Sequence, residues 1–256
     1  MVPVPRRAAL SLAVLVCSVV VSACGTGLLG KQYEYEEQLR LYVDGTARMD
    51  VSASVPALVA LRGVDLDASP GAAVDRAKVR ALFEGPGVEV SSVRTLRRDG
   101  RRFVHVRIDV DDIRQLSRLA PFSWSTYQFG RRGDLLEYKQ VVGPSAGKNV
   151  GDVGWDGREL VAFRMHLPSV IPYHNAPSKR TERGNILEWE QPLTERLKGV
   201  PIDVQVNMEP ESILYSTLLL FGTTIVLAGI AFGVVIWRVM KHGRDDDAEP
   251  RHSATG

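Results

Sequence analysis

Residues 97–110 read RRDGRRFVHVRIDV, and their reading decides the fold. Val104, Val106, Ile108 and Val110 alternate with His105, Arg107 and Asp109, so an extended chain here has one dry face and one wet face. Asp99-Gly100 stands immediately upstream, between two runs of this kind. An Asp-Gly pair supplies the positive φ angles of a tight two-residue turn, so the stretch is expected to be a β-hairpin. A hairpin wet on one face belongs to an antiparallel sheet.

The same period recurs outward from this stretch. Met49, Val51, Ala53 and Val55 alternate with polar residues, as do Ile202, Val204, Val206 and Met208, and Val161, Phe163, Met165 and Leu167 alternate with Ala162, Arg164 and His166. Residues 33–43, 122–129, 135–142 and 186–189 are further strand candidates. Two short helices interrupt the strands. Ser69-Pro70 opens one, with Ala73, Val74, Ala77 and Leu82 on one face and Gly85-Pro86 ending it. Asp111-Asp112 opens the other, with Ile113, Leu116 and Leu119 inward and Pro121 at its end; acidic residues there complement the helix dipole. The expected fold class is α+β, a mostly antiparallel and strongly curved sheet of about eight strands with two short helices. The glycine-rich loop 143–157 is expected to be mobile.

Both ends of the chain carry membrane signals. Arg6 and Arg7 precede an almost wholly apolar run over 8–23, the plan of a signal peptide. It ends in Val21-Ser22-Ala23-Cys24, which resembles the lipobox of bacterial lipoproteins, so Cys24 is the expected lipidation site and 1–23 the removed leader. Cys17 would leave with that leader, so no disulfide is expected in the mature chain. Residues 213–237 read ILYSTLLLFGTTIVLAGIAFGVVIW without a charge. At 1.5 Å per residue they cover about 37 Å, enough to cross a bilayer with some tilt. Tyr215 and Trp237 sit near the ends of this run, where aromatic rings favour the interface. Arg238, Lys241 and Arg244 follow it while Glu209 and Glu211 precede it, which places the C-terminus in the cytoplasm. The expected organisation is a tether over 24–31, an extracytoplasmic domain over 32–209, a transmembrane helix over 213–237 and a disordered cytoplasmic tail over 238–256. Both ends of the domain would then sit at one bilayer surface. The first strand would leave the membrane and the last return to it, antiparallel, free to pair and close the sheet.

The sequence has no GxxxxGK[ST] or HExxH and no cysteine pair for zinc. GTGLLG at 25–30 has the GxGxxG spacing but follows the Cys24 motif rather than a strand, and GPSAG at 143–147 has the GxSxG spacing but opens the glycine-rich loop rather than a helix, so neither stands in the strand–turn–helix context its chemistry needs. His105 and His166 fall on outward phases of their strands. A net charge of +2 gives no reason to expect a nucleic-acid partner. No catalytic residue, metal or cofactor is expected.

Residues 163–193 read FRMHLPSVIPYHNAPSKRTERGNILEWEQPL. A strand ends in Leu167-Pro168, a polar connection carries His174-Asn175, and Gly184-Asn185 starts a new strand ending in Trp189. Together with the Cys24 motif, the β-rich domain and the apolar C-terminal helix with its basic-led tail, this resembles the LppM-like family of actinobacterial envelope lipoproteins. This chain has Pro168-Ser169 where that family often has Pro-Gly. The resemblance implies an envelope protein with a curved sheet suited to binding a membrane lipid or glycolipid, and no catalytic residue. His174, Asn175 and Trp189 are the candidate ligand-binding residues; turn formation and core packing are their alternative roles. Two other functions compete: a protein-interaction module coupled to a membrane partner through Gly222, Gly229 and Gly233 of the helix, and a hydrolase of envelope polymers.

Overall fold

The computed structural model describes residues 31–178 and 185–246. The leader 1–23, Cys24 and the tail from 247 onward lie outside the described residues.

The 97–110 stretch forms the hairpin between β3 (Val88–Arg98) and β4 (Arg101–Val110), with Arg98 paired to Arg101. Asp99 and Gly100 take φ of 50° and 75°, the left-handed pair that such a turn requires. Valine and isoleucine of β4 point into the core while His105 and Arg107 face out.

Before the hairpin come β1 (Tyr33–Leu41), β2 (Ala47–Ser54), α1 (Val55–Arg62) and α2 (Arg76–Phe83). After it come two 3-10 segments at Ile113–Arg118 and Ala120–Phe122, then β5 (Ser125–Arg132), β6 (Leu135–Val142), β7 (Leu160–His166), β8 (Tyr173–His174), β9 (Ile186–Pro192), α3 (Leu193–Leu197), β10 (Ile202–Met208) and α4 (Ile213–Asp246). The class is α+β and the pairing is mostly antiparallel, with β1 and β7 as the parallel pair.

The expected single, strongly curved sheet of about eight strands is corrected. Ten strands form two sheets, ordered β3-β4-β2-β1-β7-β9 and β5-β6-β10-β8, whose dry faces share one core. Closure of β1 onto β10 fails for a simple reason. Both edges of β1 are taken, by β2 and β7, and both edges of β10 by β6 and β8.

The expected antiparallel sense of the first and last strands is corrected too. Ile213 N–H donates to Pro168 O, two residues past the end of β7. Because β1 runs parallel to β7, it points toward the C-terminal helix, as β10 does. Tyr33 pairs with Leu160, so the chain joins the domain eight residues back along β7 from that contact, about 26 Å at 3.3 Å per residue. The two attachment points therefore lie at opposite ends of β7 rather than together.

Helix bounds also differ. α2 starts at Arg76, not near Pro70, because Asp75 is its cap: its carboxylate accepts from the N–H groups of Ala77 and Lys78. Asp112 caps the first 3-10 segment as expected, accepting from Arg114 N–H. The alternation through Val55 points to a strand there, whereas Val55 opens α1. That helix is buried all round, so it shows no amphipathic period; Ser54 caps it, and Gly63 ends it at a φ of 68°. The 143–157 loop is tied down: Ala146 and Gly147 N–H donate to Leu61 and Ala60 O, and Val153 is buried. The C-terminal helix continues past Trp237 to Asp246, so residues 238–246 are helical rather than irregular.

Candidate functional site

The structure brings Asn175 and Trp189 into contact. Trp189 Nε1–H donates to Asn175 Oδ1 at 3.1 Å. The same oxygen accepts from Gln205 N–H at 2.9 Å, and Asn175 Nδ2 donates to Asp203 O at 3.1 Å. One amide thus clamps β10 of the four-stranded sheet to β9, the edge of the six-stranded sheet. Asn suits this position because its short side chain carries both an acceptor and a donor. His174, half-buried one residue upstream, pairs with Val206 on β10, and its Nδ1 has no hydrogen-bond partner among the described residues. Trp189 is buried, opposite Phe163 on β7, with its ring on the seam between the sheets.

That seam holds a charged cluster that the strand pattern contained but the sequence reading passed over. Tyr35, Glu37, Leu39 and Leu41 occupy the dry phase of β1, so Glu37 is forced inward. Arg62, at the end of α1, pairs with it; both side chains are 2% exposed. Tyr35 O–H donates to Glu37, Arg62 Nε–H donates to Tyr35 Oη at 2.9 Å, and the guanidinium lies 4.7 Å from the Tyr35 ring centre. Gln140 approaches from β6 and donates to the other Glu37 oxygen at 3.5 Å. Burial holds the Tyr35, Tyr127 and Tyr138 phenols well above their ordinary value. Burial disfavours a charged Arg62, but the fields of Tyr35 and Glu37 outweigh it and raise its pKa. A second buried pair, Arg101 with Glu34, takes Trp155 Nε1–H onto the free carboxylate oxygen and so fastens the 143–157 loop.

The space left between the sheets, beside Glu37, Gln140, Phe163, Met165 and Trp189, is a cavity of about 10 Å³. That is room for a single water. The interior is filled by side chains, and no acyl chain fits between the sheets at this point. Glu37 is committed to Arg62 and shielded from solvent. Among the described residues no group of three His, Cys, Asp or Glu side chains could hold a metal.

The open grooves lie outside. One of about 380 Å³ runs over the wet face of the six-stranded sheet, between Asp50, Arg94, His105 and Arg107. Another, of about 270 Å³, lies at the β5–β6 hairpin between Gln128, Arg131, Arg132, Glu137 and Lys139.

No protein-family profile matches the chain, and no curated protein matches it. The solved structures similar in fold include the NMR structure of the folded domain of the Mycobacterium tuberculosis LppM protein, 12% identical, matching 72% of this chain and 94% of that domain with a TM-score of 0.37. The likeness is a distant one of fold and carries no functional argument.

α4 is long and apolar enough to cross a membrane: over Ile213–Arg238 its mean hydropathy is 2.5, and its large apolar side chains are exposed.

Proposed function

We propose that this chain is a membrane-anchored, non-enzymatic envelope protein whose extracytoplasmic domain binds a lipid or other amphiphile, meeting it on its outer surface rather than in an internal pocket. The observation that carries the reading is the join between domain and helix. Only four residues separate Met208 of β10 from Ile213 of α4, and Glu209 and Ile213 are bonded through their N–H groups to Val170 O and Pro168 O. A helix spanning a bilayer would therefore hold the domain against the membrane without a flexible linker. The filled seam supports surface contact over carriage of a lipid. The positive residues after Trp237 support a cytoplasmic C-terminus, and Cys24 would add a second, acyl anchor.

The test compares residues 32–256 and 32–212, each exported behind a cleavable leader. The longer chain is expected to stay with membranes through alkaline extraction and the shorter one to be released. Retention of both, or release of both, would overturn the reading. A second reading, coupling to a membrane partner through the helix, draws on Gly229 and Gly233, which leave open space one turn apart. Photo-crosslinkers on that face recovering one stoichiometric protein would favour it.

A further inference from the structure

We infer that one end of the domain is a built membrane-docking surface, in which the loop after β7 and the β5–β6 hairpin tip rest in the interface of the leaflet that α4 crosses, against anionic phospholipid headgroups. This rests on the membrane-anchored reading and adds to it where, and by which residues, the folded domain touches the bilayer.

The loop is Leu167-Pro168-Ser169-Val170-Ile171-Pro172-Tyr173. Val170 and Tyr173 are 48% and 47% exposed, although each lies in a segment otherwise tied to the fold. Pro168 O accepts from Ile213 N–H at 2.9 Å, Val170 O from Glu209 N–H at 3.0 Å, and Ser169 O from Asn185 Nδ2 at 2.8 Å, while Ile171 packs on the core. These apolar side chains are thus displayed rigidly, beside the first residue of the apolar helix. If α4 spans, its first turn lies at the headgroup level, and Val170 and Tyr173 lie there with it. Tyrosine is favoured at that depth. A rigid loop of this kind gives up little conformational entropy on docking.

The hairpin tip points the same way. Met208, the last residue of β10, pairs with Leu136, and Leu136 pairs with Arg131, so the Arg131-Arg132-Gly133-Asp134 turn extends just beyond the end of β10, toward the helix. Arg131, Arg132 and Lys139 border the 270 Å³ groove there. Glu137 bonds Arg132 at 3.0 Å and Lys139 at 3.2 Å, and Asp134 stands in the same turn, so these two carboxylates leave the tip a surplus of one positive charge. The surplus suits a phosphodiester headgroup, since a basic side chain near an anionic surface contributes about 1 kcal/mol. Gly130, with nothing within 4 Å of where a Cβ would stand, leaves the groove floor open. The other hairpin tip, Arg97–Arg102, lies at the far end of the sheet, where Arg98 bonds Tyr33 O, and is placed away from this surface.

The test uses the full chain with Cys17→Ser and Cys24→Ser and one new cysteine carrying a polarity-sensitive fluorophore. It is reconstituted in phosphatidylcholine vesicles with or without phosphatidylglycerol. Labels at Val170→Cys and at Tyr173→Cys are expected to emit at shorter wavelength and to be quenched by aqueous iodide several-fold less than a label at Leu96→Cys. This protection should deepen with phosphatidylglycerol and lose that dependence in Arg131→Gln/Arg132→Gln. A label at Leu219→Cys, within the helix, reads the anchoring itself. Leu219 shielded with 170 and 173 as accessible as 96 would overturn the docking surface and leave the anchor standing. Leu219 open to iodide would overturn both. Protection at 170 and 173 that ignores lipid charge would overturn the headgroup assignment.

Discussion

Replacing Glu37 by Gln should destabilise the domain severely, because the substitution leaves Arg62 as a buried charge without a counter-ion. Both side chains are 2% exposed. Removing one partner of a buried pair costs about 3–5 kcal/mol. The Gln oxygen can still accept one bond from Arg62, and Arg62 keeps Tyr35 Oη at 2.9 Å, so the lower end, about 3 kcal/mol, is expected. In urea, with a slope of about 2 kcal/mol per molar, the midpoint should fall by roughly 1.5 M. The assay is urea unfolding of the full chain in mild detergent, followed by tryptophan fluorescence. Arg62→Met should cost at least as much, since it strands the carboxylate. The double variant Glu37→Leu/Arg62→Met removes both charges. It leaves Tyr35 O–H and the Gln140 amide without their acceptor and Ser125 Oγ without the Arg62 donor, neutral groups whose loss of partners costs about 1–3 kcal/mol, and so should be more stable than either single variant. Single variants within about 1 kcal/mol of the parent, or a double variant as unstable as the sum, would refute the reasoning.

Other perturbations follow from the same contacts. Asn175→Ala removes the acceptor of both Trp189 Nε1–H and Gln205 N–H at a water-accessible edge and should cost about 1–2 kcal/mol in the same assay, with Asn175→Asp, which keeps the acceptor, costing less. Gly143→Ala would place a Cβ 2.6 Å from Trp124 O, a backbone atom that cannot step aside, for a loss of about 1–3 kcal/mol read as a lower melting temperature. Burial lowers the pKa of His105 and His166 below the ordinary value, so the unfolded chain takes up their protons first. Stability should therefore decline as pH falls from 7 toward 5, and His105→Gln/His166→Gln should flatten that part of the stability–pH curve.

Much of the architecture was legible because the signal was periodic. Strands with strict alternation, such as β4 and β10, were read within a few residues, and Asp99-Gly100 marked its turn. α1 was missed because VPALVALR is buried on every side, and a helix without a polar face has no period to read. The second sheet was missed because alternation shows that a strand has a dry face but not which strand it pairs with; β1 already held two neighbours. Asn175 and Trp189 stand out in the sequence only as separate candidate ligand-binding residues; neither their contact nor the Glu37–Arg62 pair can be read there. The one trace of that pair was a glutamate at an inward phase of YEYEEQLRL, and a sequence separation of 25 between the partners hid the cation. In the sequence the docking loop is only part of the connection after Leu167-Pro168; the bonds to Glu209 and Ile213 place it beside the helix.

The central claim is that the folded domain stands outside the membrane that its last helix crosses. It is tested most directly by labelling intact cells with a membrane-impermeant maleimide, using full chains that carry Leu96→Cys or Ser253→Cys against the parent chain as background. Leu96 lies on exposed β3 and Ser253 beyond the helix. The account predicts labelling at 96 in intact cells and at 253 only after permeabilisation. Labelling at 253 from outside, or at 96 only after lysis, would contradict it.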